Sequence, residues 1–325
     1  MTLHISEAEV RAVLTMPLAI EAVEEISRKQ ATGEVVVHPR RRFELPGGGF
    51  FHYMAAADYA AGFLAMKQYT YVHGKLCFLV PLYEMSTGEL LALIEADYMG
   101  QLRTGAASGV ATKYLARKEA RVAGVIGTGS QARTQLEAVA AVRKLESARA
   151  YGRDAARREK FCKEMSERLG ISVAPCASAG EAVRGADIVS TATTTSQPVV
   201  NGADLTPGCH INAIGANHAH KRELDDEAVA SADVIVVDSV EQSRQEAGDL
   251  IIAFHGDEIC WTGVKKLSEV VTGKATGRTS DTEVTLFKSN GIASWDLAVA
   301  MKVYAMACEK KLGRELPLWT NGSHA

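Results

Sequence analysis

An α/β protein is the fold that this 325-residue sequence predicts: a doubly wound parallel sheet inserted into a discontinuous second domain. Three observations predict it. Between about residues 115 and 290, short apolar runs alternate six times with amphipathic, helix-patterned segments. The first of those runs enters a glycine turn that opens directly into a helix pattern. The flanks, 1–114 and 291–325, are patterned differently, so the piece on either side of the insert belongs to one further domain.

The elements follow in order. A capped helix starts near Ser6 and another runs through Ala19–Gln30. Extended segments come next, separated by turns such as Pro46-Gly47-Gly48-Gly49. The insert opens with a strand at Arg121–Ile126 and a helix over Gln131–Lys144, which carries Leu136, Val139 and Ala140 on one face. A strand at Ala148–Tyr151 leads to a charged helix from about Asp154, with Gly170 as its stop. Further strands are expected at Ile171–Ala174, Ile188–Ala192, Ile211–Ile214 and Val234–Val237. Ser178 with Glu181 reads as a capping box, and Arg222–Ala230 as a helix. A long helix from about Gly291 to Lys311 closes the chain.

Composition excludes several classes. A formal net charge of −3 offers no general basic field for nucleic acid or an anionic membrane. No apolar run reaches the roughly 20 residues that span a bilayer. The N-terminal stretch MTLHISEAEV lacks the basic and apolar regions of an export signal, so a cytoplasmic location is expected. The six cysteines show neither CxxC nor zinc-like Cys/His spacing, and no metal site is expected.

Gly127-Thr128-Gly129-Ser130-Gln131-Ala132 is a G-x-G-x-x-A turn. Its first glycine permits the tight turn and its second lets a diphosphate approach the backbone. The small third residue lets helix and strand pack closely, with helix-start N–H groups facing the phosphates. A Rossmann-type nucleotide unit is therefore expected. NAD-selective sites carry an acid about 20 residues beyond the turn, at the end of the second strand. Here Tyr151 is followed by Gly152, Arg153 and Asp154. The missing acid leaves room for a 2′-phosphate, which Arg153 could pair. Thirteen Lys/Arg against seven Asp/Glu over 117–168 agree in sign. NADP(H) is the expected coenzyme, with NAD(H) possible if Asp154 binds the ribose rather than only capping the next helix.

Cations stand out in the first flank at His38-Pro39-Arg40-Arg41-Arg42, Met66-Lys67-Gln68 and Leu102-Arg103-Thr104-Gly105. Lys67 lies in an apolar neighbourhood, where a lysine must snorkel or meet an anion. Cations converging from separate segments suit a carboxylate, because arginine can grip it with two N–H groups.

Five segments carry a resemblance to a known family: MKQYTYVHG, PLYEMSTGELLALIEADYMGQLRTGAASGVATKYLAR, GVIGTGSQARTQLEAV, INAIGANHAHKRELD and TLFKSNGIASWDLAVA. In these the chain resembles the ornithine cyclodeaminase/mu-crystallin family over almost its full length. The resemblance implies a Rossmann domain (115–290) inserted into a substrate and dimerisation domain (1–114 and 291–325), and a homodimer sharing a barrel-like interface. It implies small α-amino or α-imino acid substrates. Their carboxylate would be held by Arg41 (or its neighbour Arg40), Lys67 and Arg103. Thr104, Thr193, Gly215, Ala216, Asn217, Ser289 and Gly291 complete the expected coenzyme set.

One departure bears on the reaction. Where cyclodeaminases and alanine dehydrogenase-like members have an aspartate, this chain has Asn217, which can orient an amine but cannot take its proton. Lys67, Asn217 and His218 are the expected catalytic residues, with His220 and His52 as further histidines that could serve. The expected activity is hydride transfer between a nicotinamide coenzyme and Cα of a small imino or amino acid. The alternatives are an ornithine- or lysine-type cyclodeaminase and a coenzyme-loaded binding protein without catalysis.

Overall fold

The computed structural model describes residues 2–318. The last seven residues of the expected 291–325 segment, 319–325, lie outside the described residues. The chain divides into two compact units, one formed by residues up to 103 and from 292 onward, the other by Thr104–Gly291. The sequence reading put the joints at 114/115 and 290/291, the first of them eleven residues too late, because the helix Asp97–Leu115 runs across the boundary.

The first unit begins with β1 (Thr2–Ile5), α1 (Glu7–Val13) and α2 (Met16–Thr32). Thr15 caps α2, Pro17 sits in its first turn, and Gly33 ends it at φ 85°. Then come β2 (Val35–Glu44), β3 (Phe50–Asp58), β4 (Phe63–Val72), β5 (Lys75–Glu84) and β6 (Leu90–Glu95). With the later strand β15 (Arg314–Leu316) they form a seven-stranded sheet in the order β15-β1-β6-β5-β4-β3-β2. It is antiparallel except at β1–β6. A bulge between His38 and Arg41 breaks the β2–β3 register. The joint with the second unit falls inside α3 (Asp97–Leu115).

The second unit holds β7 (Val122–Ile126), α4 (Ser130–Val142), β8 (Ser147–Tyr151), α5 (Ala155–Leu169), β9 (Ser172–Pro175), α6 (Ala179–Val183) and β10 (Ile188–Thr191). It continues through β11 (His210–Ala213), α7 (Asp226–Ala230), β12 (Val234–Val237), α8 (Val240–Glu246), α9 (Gly248–Ala253), β13 (Lys265–Lys266), α10 (Leu267–Val271) and β14 (Thr285–Lys288). Its eight strands run in the order β13-β12-β14-β11-β10-β7-β8-β9 with every pairing parallel. Both faces are covered, which is why these strands read as continuous apolar runs. Ala123 and Val125 pack with Leu136, Val139, Phe161 and Met165 in one cluster. Ile126 joins Val189, Ile211, Leu224 and Leu286 in another.

After this unit the chain returns to the first one as α11 (Ala293–Glu309), packed against α2 and the strands β2 to β5, and then β15 (Arg314–Leu316). One expected helix is corrected. Arg222–Ala230 is helical only from Asp226, because residues before it are held extended. The Glu223 carbonyl accepts from Val199 and Val200, while the Glu223 and Leu224 amides donate to Asp249 Oδ1 at 2.6 and 3.0 Å. Among the described residues, no helix is long and apolar enough to cross a membrane.

Candidate functional site

In the second unit, nearly all the expected coenzyme residues fall just beyond the carboxyl ends of adjacent parallel strands. Gly127 to Ala132 follow β7, and Gly152 to Asp154 follow β8. Thr193 follows β10, Gly215 to Asn217 follow β11, and Ser289 to Gly291 follow β14. Open α/β sheets bind ligands at this edge. Thr104 lies elsewhere, on α3, where its carbonyl accepts from Gln135 Nε2 of α4 at 3.3 Å.

The turn is built for an anion. Gly127 has φ 115°, and a Cβ there would strike the Ala192 carbonyl. Gly129 caps α4 without a side chain, and a Cβ on it would meet nothing within 4 Å, so the helix start faces open space. A diphosphate fits that opening, with backbone N–H groups as its donors. Arg133 braces the turn by donating to the carbonyls of Thr128 (3.0 Å) and Gly129 (3.1 Å) while paired with Glu164.

The remaining strand ends are held by buried acids. Glu223 accepts from Thr191 Oγ1, the Thr193 amide and hydroxyl and the Gly215 amide, each at 2.7 Å. Burial, then the neighbouring Asp249, pushes its carboxyl above the usual range, opposed by Lys288 and the threonine hydroxyls. Lys288 pairs with Asp249 at 2.9 Å and donates to the Ala216 carbonyl; both charged side chains are fully buried. Asp238 Oδ2 accepts from Ser289 Oγ, Asn290 N and Gly291 N at 3.1, 2.7 and 2.6 Å. Asn217 and His218 are half-buried on the loop so anchored, and the His218 and His220 rings lie 5.6 Å apart. Glu223, Asp249, Lys288 and Asp238 were not singled out in the sequence. The available signal was a charge at the end of an apolar run, as in TLFK.

In the first unit, two of the three expected carboxylate-binding cations come together. Lys67 (4% exposed) and Arg103 (7%) both donate to Asp296 Oδ1, through Nζ at 2.9 Å and Nε at 3.0 Å. Nζ also lies 5.4 Å from the Phe78 ring centre. Gly100 makes room for it, since a Cβ there would sit 3.0 Å from Nζ. Burial, then Arg103, pushes Lys67 down to about 8, with Asp296 opposing. The amine thus holds a labile proton near neutral pH.

Arg41 is not brought to this place. It pairs in register with Tyr53 and Gln68, whereas Lys67 pairs with Met54, so the two point to opposite faces of the sheet. Arg41 is exposed. Arg40, beside the bulge, is the neighbour whose charge acts on Lys67. On the Lys67 face, His52 is buried and its Nδ1 lies 2.5 Å from Tyr69 Oη. Sequence reasoning missed Asp296, although a lone acid in the apolar run ASWDLAVA was a usable signal.

The chain is similar along most of its length to known oxidoreductases of imino and amino acids. Over 243 residues the chain is 40% identical to Delta(1)-pyrroline-2-carboxylate reductase of Bacillus cereus, covering 73% of each. Over 324 residues it is 37% identical to alanine dehydrogenase of Archaeoglobus fulgidus, covering 97% of this chain and 98% of that one. Among solved structures, a Thermococcus litoralis Delta(1)-pyrroline-2-carboxylate reductase in complex with NADH and L-proline superposes with a TM-score of 0.92 at 38% identity, covering 97% and 100% of the two chains.

The NADP(H) preference expected from Gly152 and Arg153 is overturned. The Thermococcus enzyme holds NADH, an archaeal alanine dehydrogenase dimer holds NAD, and the iminosuccinate reductase of Paracoccus denitrificans holds NAD+. The structure supplies the reason. A Cβ on Gly152 would sit 2.8 Å from Thr128 Oγ1, so packing against Thr128 favours glycine there whichever coenzyme binds. Arg153 is exposed, and the acid stands two residues further on as Asp154, which caps α5 through the Arg157 amide at 3.0 Å. Three of the local arginines pair with acids of the unit, as Arg133–Glu164, Arg168–Glu137 and Arg121–Glu146. Residues 2–311 match the family model, and the chain belongs to the ornithine cyclodeaminase/mu-crystallin family.

Proposed function

We propose that this protein is an NADH-dependent reductase of small α-imino acids, with five- and six-membered cyclic imines carrying a 2-carboxylate as its substrate class. We take it to act as a cytoplasmic homodimer. The observation that carries the reading is the buried convergence of Lys67 and Arg103 on one carboxylate oxygen. Such a place suits a carboxylate-bearing substrate, and the relative that holds NADH with L-proline supports both the coenzyme and the ring.

When bound, NADH supplies the hydride. Gly127, Gly129, Ser130, Gln131 and Ala132 would hold its diphosphate, and Asp154 its ribose hydroxyls. Lys67 and Arg103 hold the substrate carboxylate, with Arg40 rather than Arg41 as the third cation. Lys67 is also the proton donor: its ammonium, pushed down to about 8, gives a proton to the imine nitrogen more readily than an ordinary lysine. Asn217 cannot accept a proton, and this favours net reduction over a cycle that must first deprotonate an amine and later protonate departing ammonia.

The likeness to alanine dehydrogenase along 97% of the chain favours one second reading, reductive amination of a 2-oxo acid. The test follows NADH absorbance with Δ1-pyrroline-2-carboxylate, with Δ1-piperideine-2-carboxylate, and with pyruvate plus ammonia. Ammonia release from L-ornithine is measured alongside. Fastest NADH loss on the cyclic imines is expected. Ammonia release without net coenzyme change would make the protein a cyclodeaminase and overturn the reading.

A further inference from the structure

Two cations share one acceptor in the first unit, and that acceptor is itself buried. Asp296 is 1% exposed and lies in the first turn of α11, between the buried side chains of Trp295 and Leu297. Its Oδ1 takes both Lys67 Nζ and Arg103 Nε, while its buried Oδ2 accepts no hydrogen bond. The packed helix and these two cations position the carboxylate. Two like charges in a water-poor place repel unless an opposite charge lies between them.

We propose that Asp296 is a positioning residue that presets the substrate-carboxylate site, holding the Lys67 and Arg103 donors side by side on Oδ1. The inference rests on the reading of Lys67 and Arg103 as carboxylate-binding. The acid cancels one of the charges of Lys67 and Arg103 and leaves the place, with Arg40 nearby, cationic toward a substrate carboxylate. Substrate then meets donors whose rotamers are already fixed, so less freedom is lost on binding.

The same acid governs the protonation of Lys67. The charged or titratable groups facing Nζ are Arg40 from β2, His52 from β3, Tyr69 from β4 itself, Arg103 from α3 and Asp296 from α11. Arg103 and Arg40 drive the proton off, whereas Asp296 retains it. Neutralising Asp296 removes that retaining charge, so Lys67 should lose its proton at lower pH.

The experiment uses Asp296→Asn, Asp296→Glu and, for assignment, Lys67→Met. Lysine labelled with carbon-13 at Cε gives a signal for Lys67, identified by its loss in Lys67→Met and titrated without substrate. In Asp296→Asn that titration is expected to move down by a pH unit or more. With Δ1-pyrroline-2-carboxylate, KM should rise at least tenfold while NADH affinity holds, and the basic fall of kcat/KM should shift with the NMR titration. An unchanged titration with unchanged KM overturns the inference, as does lost activity with an unmoved titration, which would mark a merely structural residue. If Asp296→Asn does not fold, Asp296→Glu decides. It keeps the charge but displaces Oδ1, so raised KM with a near-normal Lys67 titration supports positioning, and wild-type KM overturns it. Because the titration needs no turnover, failure of the wild type to reduce any imine would count against the proposed function alone.

Discussion

The two units bind anions, on this reading, with opposite materials. The nucleotide turn uses backbone: Gly127, Gly129 and the uncapped start of α4. The carboxylate site uses side-chain charge, with Lys67 and Arg103 buried around Asp296. Backbone donors do not titrate and come from one contiguous stretch. Charged side chains titrate, come from distant segments, and need a counter-charge to coexist away from water. One site should therefore ignore pH where the other is governed by it.

The largest expected effect tests the supports of the first kind of site. Lys288→Met leaves Asp249 and Glu223 buried without their cation. Breaking a buried pair in this way costs about 3–5 kcal/mol, to be read as a lowered urea midpoint. NADH affinity should fall with it, since the Ala216 carbonyl loses its donor.

A sharper contrast comes from Lys67→Met, which keeps most of the stem and deletes the charge. Loss of a charge-assisted bond and of a proton donor should lower kcat/KM by about a hundredfold or more, with NADH affinity unchanged. The pH dependence follows from the sign of the shift. Below about 8 Nζ is protonated and serves the site; above it the charge is lost. Wild-type kcat/KM should accordingly fall as pH rises through about 8. Lys67→Met should lack that fall, and the Kd for NADH should stay level across the same range. A parallel drift in NADH affinity would erase the contrast between the two sites.

The smallest effect separates function from stability at one atom. Gly100→Ala adds a methyl 3.0 Å from Lys67 Nζ, the movable end of a flexible chain. Helix propensity favours the alanine by up to about 1 kcal/mol, so Tm should hold or rise. Displacing Nζ should nonetheless raise KM, by up to about tenfold. An unchanged KM would mean that the position of Nζ is not critical.

What was legible in the sequence divides along the same line. The nucleotide turn could be read because its chemistry is local: two glycines and an alanine at fixed spacing, after a strand and before a helix. The parallel sheet could be read because strands covered on both faces are apolar throughout. Lys67 and Arg103 could be suspected from cations in small or apolar surroundings, but their convergence depends on strand pairing and on Asp296 of α11, 229 and 193 residues downstream of them. The resemblance favours Arg41 over its neighbour Arg40, but a bulge between His38 and Arg41 sets which side chain faces inward, and no local signal announces it. Gly152 misled for a related reason. It packs against the Thr128 side chain, 24 residues away, a reason for glycine that is independent of the coenzyme. His210, in the chemically suggestive run CHINAIG, is a core residue bonded to Thr285 and Asn212, and burial pushes it down to about 3, so it stays neutral.

The most direct test of the central claim follows one deuterium atom. NADH carrying deuterium at the transferable C4 position is mixed with Δ1-pyrroline-2-carboxylate and the wild-type protein, and the product is examined by proton NMR. The account predicts proline with a single deuterium at Cα, one NAD+ formed per proline, and no ammonia. No oxidation of NADH, or proline without deuterium at Cα, would contradict it.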